Sequence, residues 1–274
     1  MKKKIFEFIR QIGIFFGVNI QVNRWTNYDE LESFLQKLYP IKTDKKLIRV
    51  GAEKDGGYII PDDMDNIKAL FSPGVGSKQD FDLECANNGI QVFMADASVD
   101  GAVENHKNYV FTKKFIGTLN NEEYISIENW IKQSNVNEHS DLLLQMDIEG
   151  YEYETIYSMS QETLNRFRII IIEFHELDLL LNKAMFEKLK NSFLKILETH
   201  YVVHIHPNNC CKSVLIKDIA IPPVLEFTFI RKDRVEKKGY VSIFPNLLDA
   251  NCSENNTLVL PQCWYKSKWE ESHT

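Results

Sequence analysis

DLLLQMDIEGYE, residues 141–152, is the stretch from which the fold class of this 274-residue chain can be predicted. Leu142 begins a short apolar run that extends to Met146, and acidic residues follow at close range. An apolar run that ends in polar residues and glycine is typical of a strand buried on both faces, as in parallel sheets flanked by helices. Because ligands bind beyond the carboxyl ends of such strands, Asp147 and Glu149 lie where chemistry is expected. The alternative is that they are solvated loop acids, or that Asp147 caps the next helix.

Apolar runs of the same kind recur along the chain and alternate with segments of helical composition. The alternation predicts an α/β fold, with an open and mostly parallel sheet, helices on both faces and an antiparallel strand near the end. Asp55-Gly56-Gly57 is a turn signal between two short β-like runs, which predicts a hairpin. The runs that we interpret as strands of the sheet lie at residues 69–71, 90–96, 109–116, 141–147, 167–174, 201–206 and 225–230.

The chain divides into three parts by composition. We expect a helical segment over residues 1–46 and the main domain over residues 47–235. Residues 236–274 are a loop-rich extension, which we expect to pack on the domain through Trp264 and Trp269.

The composition is that of an ordinary globular protein, with 44% hydrophobic and 26% charged residues. A formal net charge of -7 does not favour nucleic-acid binding, so no nucleic-acid partner is expected. The five cysteines are irregularly spaced and include no C-x-x-C pair, which argues against a zinc ribbon. Free thiols in a reducing cytoplasm are the simplest interpretation.

The first 18 residues, MKKKIFEFIRQIGIFFGV, have apolar residues at three- and four-residue spacing, which predicts an amphipathic helix. Charged residues interrupt the apolar run and the stretch is too short to span a bilayer, so neither a signal peptide nor a membrane span is expected. We expect the helix to pack on the domain or on a second subunit of a homodimer. The alternative is contact with the inner face of the membrane through Lys2, Lys3 and Lys4. The expected location is therefore the cytoplasm, either free or at that membrane face.

A glycine turn, SPGVG at residues 72–76, follows one predicted strand and precedes a helical segment. Strand, glycine turn and helix form the unit that binds nucleotides, because glycine lets the backbone approach a ligand closely. The next strand ends in Asp96, where an acid typically accepts hydrogen bonds from a ribose diol. Gln79 occupies the place of the third glycine in the dinucleotide fingerprint, which departs from the NAD pattern. The residues that we assign to a nucleoside site are Gly74, Gly76, Asp96 and Thr118.

Acids and histidines follow the later strands and are candidates for a reaction centre. Histidine can accept a proton from a hydroxyl group because its ordinary pKa lies near neutrality. His204 and His206 share one face if a strand runs through both, but that face could also point away from the site. Alternatively, Asp147, Glu173 and His204 could hold a divalent cation, for which oxygen-rich ligation suits Mg²⁺ or Mn²⁺.

Several of these stretches together resemble the FkbM-type S-adenosylmethionine-dependent methyltransferases, over residues 47–231. The resemblance implies a class I, Rossmann-like methyltransferase fold with a mostly parallel seven-stranded sheet whose last hairpin is antiparallel. It also implies S-adenosylmethionine as the cofactor. The stretches that carry it are RVGAEKDGGYIIPDD (residues 49–63), FSPGVGSKQDFD (71–82), MADAS (94–98), LLLQMDIEGYEYE (142–154), RIIIIEFHELD (168–178), HIHPNN (204–209) and IPPVLEFTF (221–229).

The resemblance implies roles for cofactor-binding residues. Gly74 and Gly76 would face the cofactor and Asp96 would bind its ribose, with Ser98 of the MADAS stretch beside it. The family's usual E/D-x-G-x-G opening is S-P-G-V-G here, so Ser72 replaces an acid. We expect Asp55 of the hairpin to supply the missing contact.

The resemblance also implies a reaction. Family members commonly O-methylate sugars or natural products, many of them in surface-glycan clusters, so a sugar or glycan acceptor and a place in polysaccharide biosynthesis are expected. His175 is the predicted base, with Asp147, Glu173 and His204 as orienting residues or metal ligands. Two alternatives are an NAD-dependent sugar-modifying oxidoreductase, against which the missing third glycine argues, and a non-catalytic scaffold, against which the acids and histidines argue.

Overall fold

The computed structural model describes residues 2–17 and 24–266, so Trp269 lies outside the described residues. The helices are α1 (Lys2–Phe15), α2 (Tyr28–Lys37), α3 (Asp80–Asn87), α4 (Ile127–Gln133), α5 (Glu152–Ser158), α6 (Gln161–Arg166) and α7 (Lys183–Thr199). The strands are β1 (Ile41–Thr43), β2 (Leu47–Gly51), β3 (Gly57–Pro61), β4 (Ala69–Pro73), β5 (Gln91–Ala95), β6 (Tyr109–Thr112), β7 (Phe115–Ile116), β8 (Tyr124–Ile125), β9 (Leu142–Met146), β10 (Phe167–Phe174), β11 (His200–Pro207), β12 (Val214–Ile216), β13 (Ile219–Ile221), β14 (Leu225–Arg231) and β15 (Lys237–Tyr240).

Seven strands form the central sheet, in the order β11-β14-β10-β9-β4-β5-β6. β14 is antiparallel to both of its neighbours, and the other pairs are parallel. The mainly parallel, Rossmann-like sheet with an antiparallel strand near the end is therefore confirmed. The chain fills one half of the sheet from β4 outward and then the other half from β9 outward. This point of reversal is where open α/β sheets bind ligands.

The apolar runs of β9 and β10 form the centre of the sheet because both of their faces are covered. Leu142 and Leu144 of β9 belong to one hydrophobic cluster, and Leu143 between them belongs to the cluster on the opposite face. Alternate residues of a strand point to opposite faces, so a continuous apolar run suits a strand covered on both. Burial of each such side chain contributes about 1.5–3 kcal/mol.

The predicted hairpin is formed by β2 and β3, which pair in antiparallel register from Leu47 opposite Pro61 to Gly51 opposite Gly57. Gly57 is required there, because an added Cβ would lie 2.1 Å from the carbonyl oxygen of Ala52. The hairpin lies beside the sheet, where the hydroxyl of Thr228 donates a 2.7 Å hydrogen bond to the carbonyl oxygen of Ile59.

Some element boundaries differ from the prediction. The single strand expected over residues 109–116 is two strands, because β6 continues the central sheet whereas β7 pairs with β8. The segment after β10 begins as a 3-10 helix, Leu177–Leu181, and α7 starts only after Asn182, whose side chain accepts a hydrogen bond from the N–H of Ala184. The pairings of β1 with β15 and of β12 with β13 were not predicted. The division into domains stays a prediction.

The segments that flank the central sheet contribute to its core. Leu31, Phe34 and Leu35 of α2 are buried in the larger hydrophobic cluster. Trp264 of the C-terminal extension is fully buried in the same cluster, and its indole N–H donates a 2.9 Å hydrogen bond to the carbonyl oxygen of Ala220.

The N-terminal pattern corresponds to helix α1, which exposes apolar side chains. Phe8, Ile12, Phe15 and Phe16 are exposed by 67%, 38%, 83% and 70% of their surfaces. What covers them, whether a second subunit or a membrane surface, stays a prediction. Among the described residues, each helix is too short or too polar to cross a membrane.

Candidate active site

Two cavities open at the carboxyl ends of the central strands and meet at Gly74 and Asp147, which line both. The first, which we call the Asp96 cavity, has a volume of about 380 Å³ and is bordered by the ends of β4, β5 and β9. The second, which we call the Glu173 cavity, has a volume of about 190 Å³ and is bordered by β10, β11, β14 and the β2–β3 hairpin. The first volume lies within the range of ligand pockets, roughly 300–1,000 Å³.

Gly74 brings the loop after β4 against the loop after β9. Its φ is +88°, and an added Cβ would lie 1.5 Å from the backbone oxygen of Asp147. Glycine is therefore needed for contact between the two loops, whereas the sequence interpretation assigned it to contact with a ligand. Gly76 has open space around its Cα, because the nearest atom to an added Cβ is the nitrogen of Lys78 at 4.0 Å.

Asp96 is held between the glycine loop and the loop that follows β5. Its Oδ2 accepts a 2.9 Å hydrogen bond from the N–H of Val75, and its Oδ1 accepts from the N–H and hydroxyl of Ser98 at 2.7 and 2.6 Å. Both Asp96 and Ser98 line the Asp96 cavity, as a ribose site requires. Each carboxylate oxygen can accept further hydrogen bonds. Thr118 is exposed and lines neither cavity, so the structure does not bring it to the predicted nucleoside site.

Glu152 organises the loop after β9. It is fully buried, and its Oε1 accepts 3.1 Å hydrogen bonds from the N–H groups of Ile148 and Gly150. The same oxygen lies 3.1 Å from Nδ1 of His175. Glu149 within this loop has a φ of +55°, an unfavourable conformation for a residue with a side chain, and such strain is frequent at functional sites.

His175 lies among carboxylates. Its Nε2 is 3.8 Å from Asp147, 3.5 Å from Glu149 and 3.6 Å from Glu173. Burial by itself would lower the pKa of His175, but the hydrogen bond to Glu152 and the surrounding negative charges outweigh it and raise the pKa to about 9. The imidazole is then protonated at neutral pH and has no lone pair with which to accept a proton. The raised pKa of His175 therefore argues against its predicted role as the base.

Asp147 and Glu173 have pKa values suited to proton transfer. Burial raises the pKa of Asp147 to about 6, with His175 opposing the shift. Burial and the neighbouring charge of Asp147 raise the pKa of Glu173 to about 7. The side-chain amide of Asn208 donates a 3.0 Å hydrogen bond to Glu173, which fixes the carboxylate at the wall of the Glu173 cavity. A base with a pKa near the working pH is the most effective.

The predicted metal ligands are not brought together. Among the described residues, the potential ligand groups are Asp147 with Glu149 and His175, and His204 with His206 and Asp249. Glu173 belongs to neither group, and His204 lies in the second one. The set of Asp147, Glu173 and His204 is therefore divided between two places, because β14 separates the end of β11 from that of β10.

The sequence interpretation missed several acids of the Glu173 cavity. Asp82 on α3 is buried, its Oδ1 has no hydrogen-bond partner, and burial raises its pKa to about 6. Burial also raises the pKa of Glu226 on β14, to about 8. The available signal was an acid within an otherwise apolar helix face or strand. Asp55, predicted as a cofactor contact, lines the Glu173 cavity rather than the Asp96 cavity.

A mainly parallel seven-stranded sheet, a glycine loop after β4 and an acid after β5 together define a Rossmann-like methyltransferase fold. Residues 79–198, a little under half of the chain, match the model of the family described as the methyltransferase FkbM domain, so this part of the chain is similar to that family. The match runs from the residue before α3 into α7, so it includes Asp96, Asp147 and Glu173 but not His204. Comparison with curated proteins finds no match.

Proposed function

We propose that the protein is an S-adenosylmethionine-dependent O-methyltransferase that acts on a sugar hydroxyl of a glycan or its precursor in the cytoplasm. The observation that carries the proposal is that Asp147 borders both cavities. A donor that extends from the Asp96 cavity past Gly74, and an acceptor in the Glu173 cavity, would therefore meet at Asp147. When bound, S-adenosylmethionine supplies an electrophilic methyl group, and this chain would align the acceptor with it and remove the hydroxyl proton.

The Asp96 cavity fits a nucleoside. Asp96 and Ser98 provide a carboxylate and a hydroxyl at one wall, suited to a ribose diol. The other walls provide apolar and aromatic surface for the nucleobase, from Phe115, Tyr124 and Ile148. This combination of a few polar groups with apolar walls is typical of cofactor pockets.

The amino-acid end of the cofactor would extend past Gly74 into the Glu173 cavity. Ser72, which replaces the usual acid, donates a 2.8 Å hydrogen bond to Gln145 and is buried. Asp82 lines the same cavity with an unpartnered carboxylate oxygen, which suits the ammonium group. Asp55 is a second candidate at the hairpin turn. A buried carboxylate without a partner is costly unless a ligand pairs with it.

We assign the role of base to Glu173, with Asp147 as the residue that borders donor and acceptor. Glu173 has a pKa of about 7, so it is ionised in much of the protein near neutral pH. His175 acts as a half-buried cation that favours the ionised form of both carboxylates. The polar walls of the cavity suit an acceptor with several hydroxyl groups.

The test is calorimetric titration of the purified protein with S-adenosylmethionine and, separately, with NAD⁺. We expect saturable binding of S-adenosylmethionine and none of NAD⁺. A panel of sugars and nucleotide sugars is then incubated with the protein and S-adenosylmethionine, and products are examined by mass spectrometry for an added methyl group. The variant E173Q should bind S-adenosylmethionine as the wild type does but lose methyl transfer.

Each other outcome has a defined meaning. Binding of NAD⁺ without S-adenosylmethionine would refute the proposal and favour a sugar-modifying oxidoreductase. Binding of neither would favour a non-catalytic scaffold. Methylation of a nitrogen or carbon instead of an oxygen would support the proposal that the protein is a methyltransferase. It would refute the proposal that the acceptor is a sugar hydroxyl.

A further inference from the structure

His204, His206 and Asp249 form a compact group at the wall of the Glu173 cavity. Oδ1 of Asp249 lies 2.8 Å from Nε2 of His204 and 3.5 Å from Nδ1 of His206. The three side chains are exposed by only 4%, 9% and 7% of their surfaces, in the order His204, His206, Asp249. Two imidazoles and one carboxylate converging on one point is a ligand set that divalent transition metals use.

His206 provides a second, independent observation. Both of its ring nitrogens are buried and lack a hydrogen-bond partner among the described residues. A buried polar atom without a partner costs about 1–3 kcal/mol, so native structures rarely retain one without a reason. A bound cation would give Nδ1 a partner and remove the cost at that nitrogen.

The spacing of the three groups fits one ion. Nitrogen and oxygen ligands lie about 2.0–2.2 Å from Zn²⁺, so ligands of one tetrahedral or octahedral ion are roughly 2.8–3.6 Å apart. The separations of 2.8 and 3.5 Å fall within this range, and the three ligand atoms all lie within 4.8 Å of one another. Three ligands leave at least one coordination position open, which is typical of catalytic rather than structural sites.

Neighbouring elements hold the group in place. His204 and His206 are two residues apart on β11 and therefore point to the same face. The loop of Asp249 is fixed because Oδ2 of Asp249 accepts a 2.7 Å hydrogen bond from the N–H of Asn246. Arg49 of the hairpin also donates a 3.2 Å hydrogen bond to the carbonyl oxygen of Leu248. A preformed ligand set favours binding, since little ordering is needed when the ion arrives.

Acidic and basic side chains both line this cavity, since Arg49, Lys54 and Lys78 border it together with the acids. Glu226 on β14 is opposite His206 in the strand register, and Glu173 on β10 lies beyond it along the same cavity wall. On the other side Phe244 stacks against the ring of His204, with ring centroids 6.3 Å apart. All three groups border the Glu173 cavity, so the free coordination positions of a bound ion would face it.

We propose that His204, His206 and Asp249 bind one divalent transition-metal ion, of the Zn²⁺ or Mn²⁺ class rather than Mg²⁺, with its open positions toward the Glu173 cavity. Two imidazole ligands favour these ions over Mg²⁺, which prefers oxygen ligands and water. The ion would bind an oxygen of the acceptor and make a hydroxyl proton easier to remove. That role rests on the proposed methyltransferase function, whereas the site itself does not.

The test measures metal binding in the absence of S-adenosylmethionine. Metal-stripped full-length protein is titrated calorimetrically with Zn²⁺, Mn²⁺ and Mg²⁺. All variants are made in a C210S/C211S background, because these adjacent exposed thiols would bind Zn²⁺ themselves. We expect one saturable site for Zn²⁺ or Mn²⁺, with Mg²⁺ much weaker. H206A and D249N should each weaken binding by about a hundredfold or more, since even second-shell changes cost 10–100-fold.

The matched control is H139A, which removes an imidazole that is 86% exposed and outside the group. It should bind the ion as the background protein does. Thermal unfolding without metal checks that each variant folds, and H206Q replaces H206A if the smaller side chain leaves the protein unfolded. The proposal is overturned if no saturable site is found, or if folded H206Q and D249N bind as tightly as H139A. S-adenosylmethionine binding is measured on the same samples, so loss of the metal site and loss of the proposed function are separate results.

Discussion

Nδ1 of His175 and Oε1 of Glu152 are 3.1 Å apart, and the same oxygen accepts hydrogen bonds from the backbone of the loop after β9. One buried carboxylate thus fixes the loop that carries Asp147 and also sets the charge of the imidazole beside it. Replacing Glu152 by glutamine keeps the shape of the side chain but removes the charge.

We expect E152Q to lower the pKa of His175 from about 9 toward its ordinary value, because loss of one adjacent opposite charge typically moves a pKa by about 1–3 units. The measurement is the imidazole NMR shift as a function of pH. E154Q, on the same helix but paired with Lys188 at the surface, is the control and should not change the titration. A His175 pKa that is equal in E152Q and the wild type would contradict this account.

The pKa of Glu173 predicts how methyl transfer depends on pH. The base must be ionised to accept a proton, so kcat should rise as pH increases through about 7 and then level off. E173Q should lower kcat by about 10²–10⁴-fold, with little change in cofactor binding. E187Q, which removes an exposed acid of α7 that pairs with Lys190, serves as the control and should keep the wild-type profile. A flat profile between pH 6 and pH 8, the span about the pKa near 7, would refute the assignment.

Asp63 predicts a stability effect far from the cavities. Its carboxylate bonds Arg234 at 2.9 and 3.0 Å and Lys45 at 3.1 Å. Burial would raise the pKa of Asp63, but these contacts and the charge of Arg168 lower it below its ordinary value. A carboxyl group with a lowered native pKa stabilises the fold above its unfolded pKa, and this contribution is lost as pH falls through the native value.

D63N should therefore lower the free energy of unfolding by roughly 3 kcal/mol at neutral pH. This value is the lower end of the range for breaking a buried ion pair, because Arg234 and Lys45 are about a third exposed. The difference from the wild type should persist down to about pH 4 and shrink below it. Urea unfolding at several pH values measures it. D100N removes a surface pair with Lys113 and should leave the unfolding curve unchanged.

Gly74 and Gly76 make a matched pair for separating fold from ligand contact. The added Cβ in G74A would collide with the backbone of Asp147, so we expect a loss of about 4 kcal/mol or more in unfolding free energy. G76A meets open space and should stay within about 0.5 kcal/mol of the wild type. Any loss of S-adenosylmethionine binding in G76A then reports on the cofactor site alone. Equal stability of the two variants would show that the contact between the loops is not as close as described.

Trp264 tests whether the C-terminal extension is part of the core. The side chain is fully buried, so W264A should lower the free energy of unfolding by about 3–5 kcal/mol. Thermal and urea unfolding measure the change. L247A, in the same extension but fully exposed, should have no effect. A small effect of W264A would mean that the extension unfolds independently of the sheet.

The sequence predicted those features that depend on the pattern of residues within one stretch of the chain. The run from Leu142 to Met146 could be placed in the centre of a parallel sheet because both of its faces are apolar. Since parallel strands end at one edge, Asp147, Glu173 and His175 could be expected to meet there, and they do. The hairpin at Gly57 was predictable for the same kind of reason, because the turn requires glycine.

Other features depend on contacts that no local pattern records. Asp249 lies in an irregular loop 45 residues from His204, so nothing in its own stretch indicated that the two side chains meet. The pairing of β1 with β15 joins residues from opposite ends of the chain. The protonation of His175 could not be foreseen either, because it depends on how many carboxylates surround the ring in space.

The position of Asp147 between two cavities would make protons competitors of the proposed methyl donor. With its pKa near 6, this carboxyl group is partly protonated just below neutrality, and a sulfonium cation beside it would favour the ionised form. The two events are linked: because binding of the cation favours loss of the proton from Asp147, protonation of Asp147 must weaken binding of the cation to the same extent. Mild acidity would thus lower the fraction of protein that holds the donor before it disturbs the fold. The carboxyl group of Asp147 would then respond both to the concentration of the donor and to the pH.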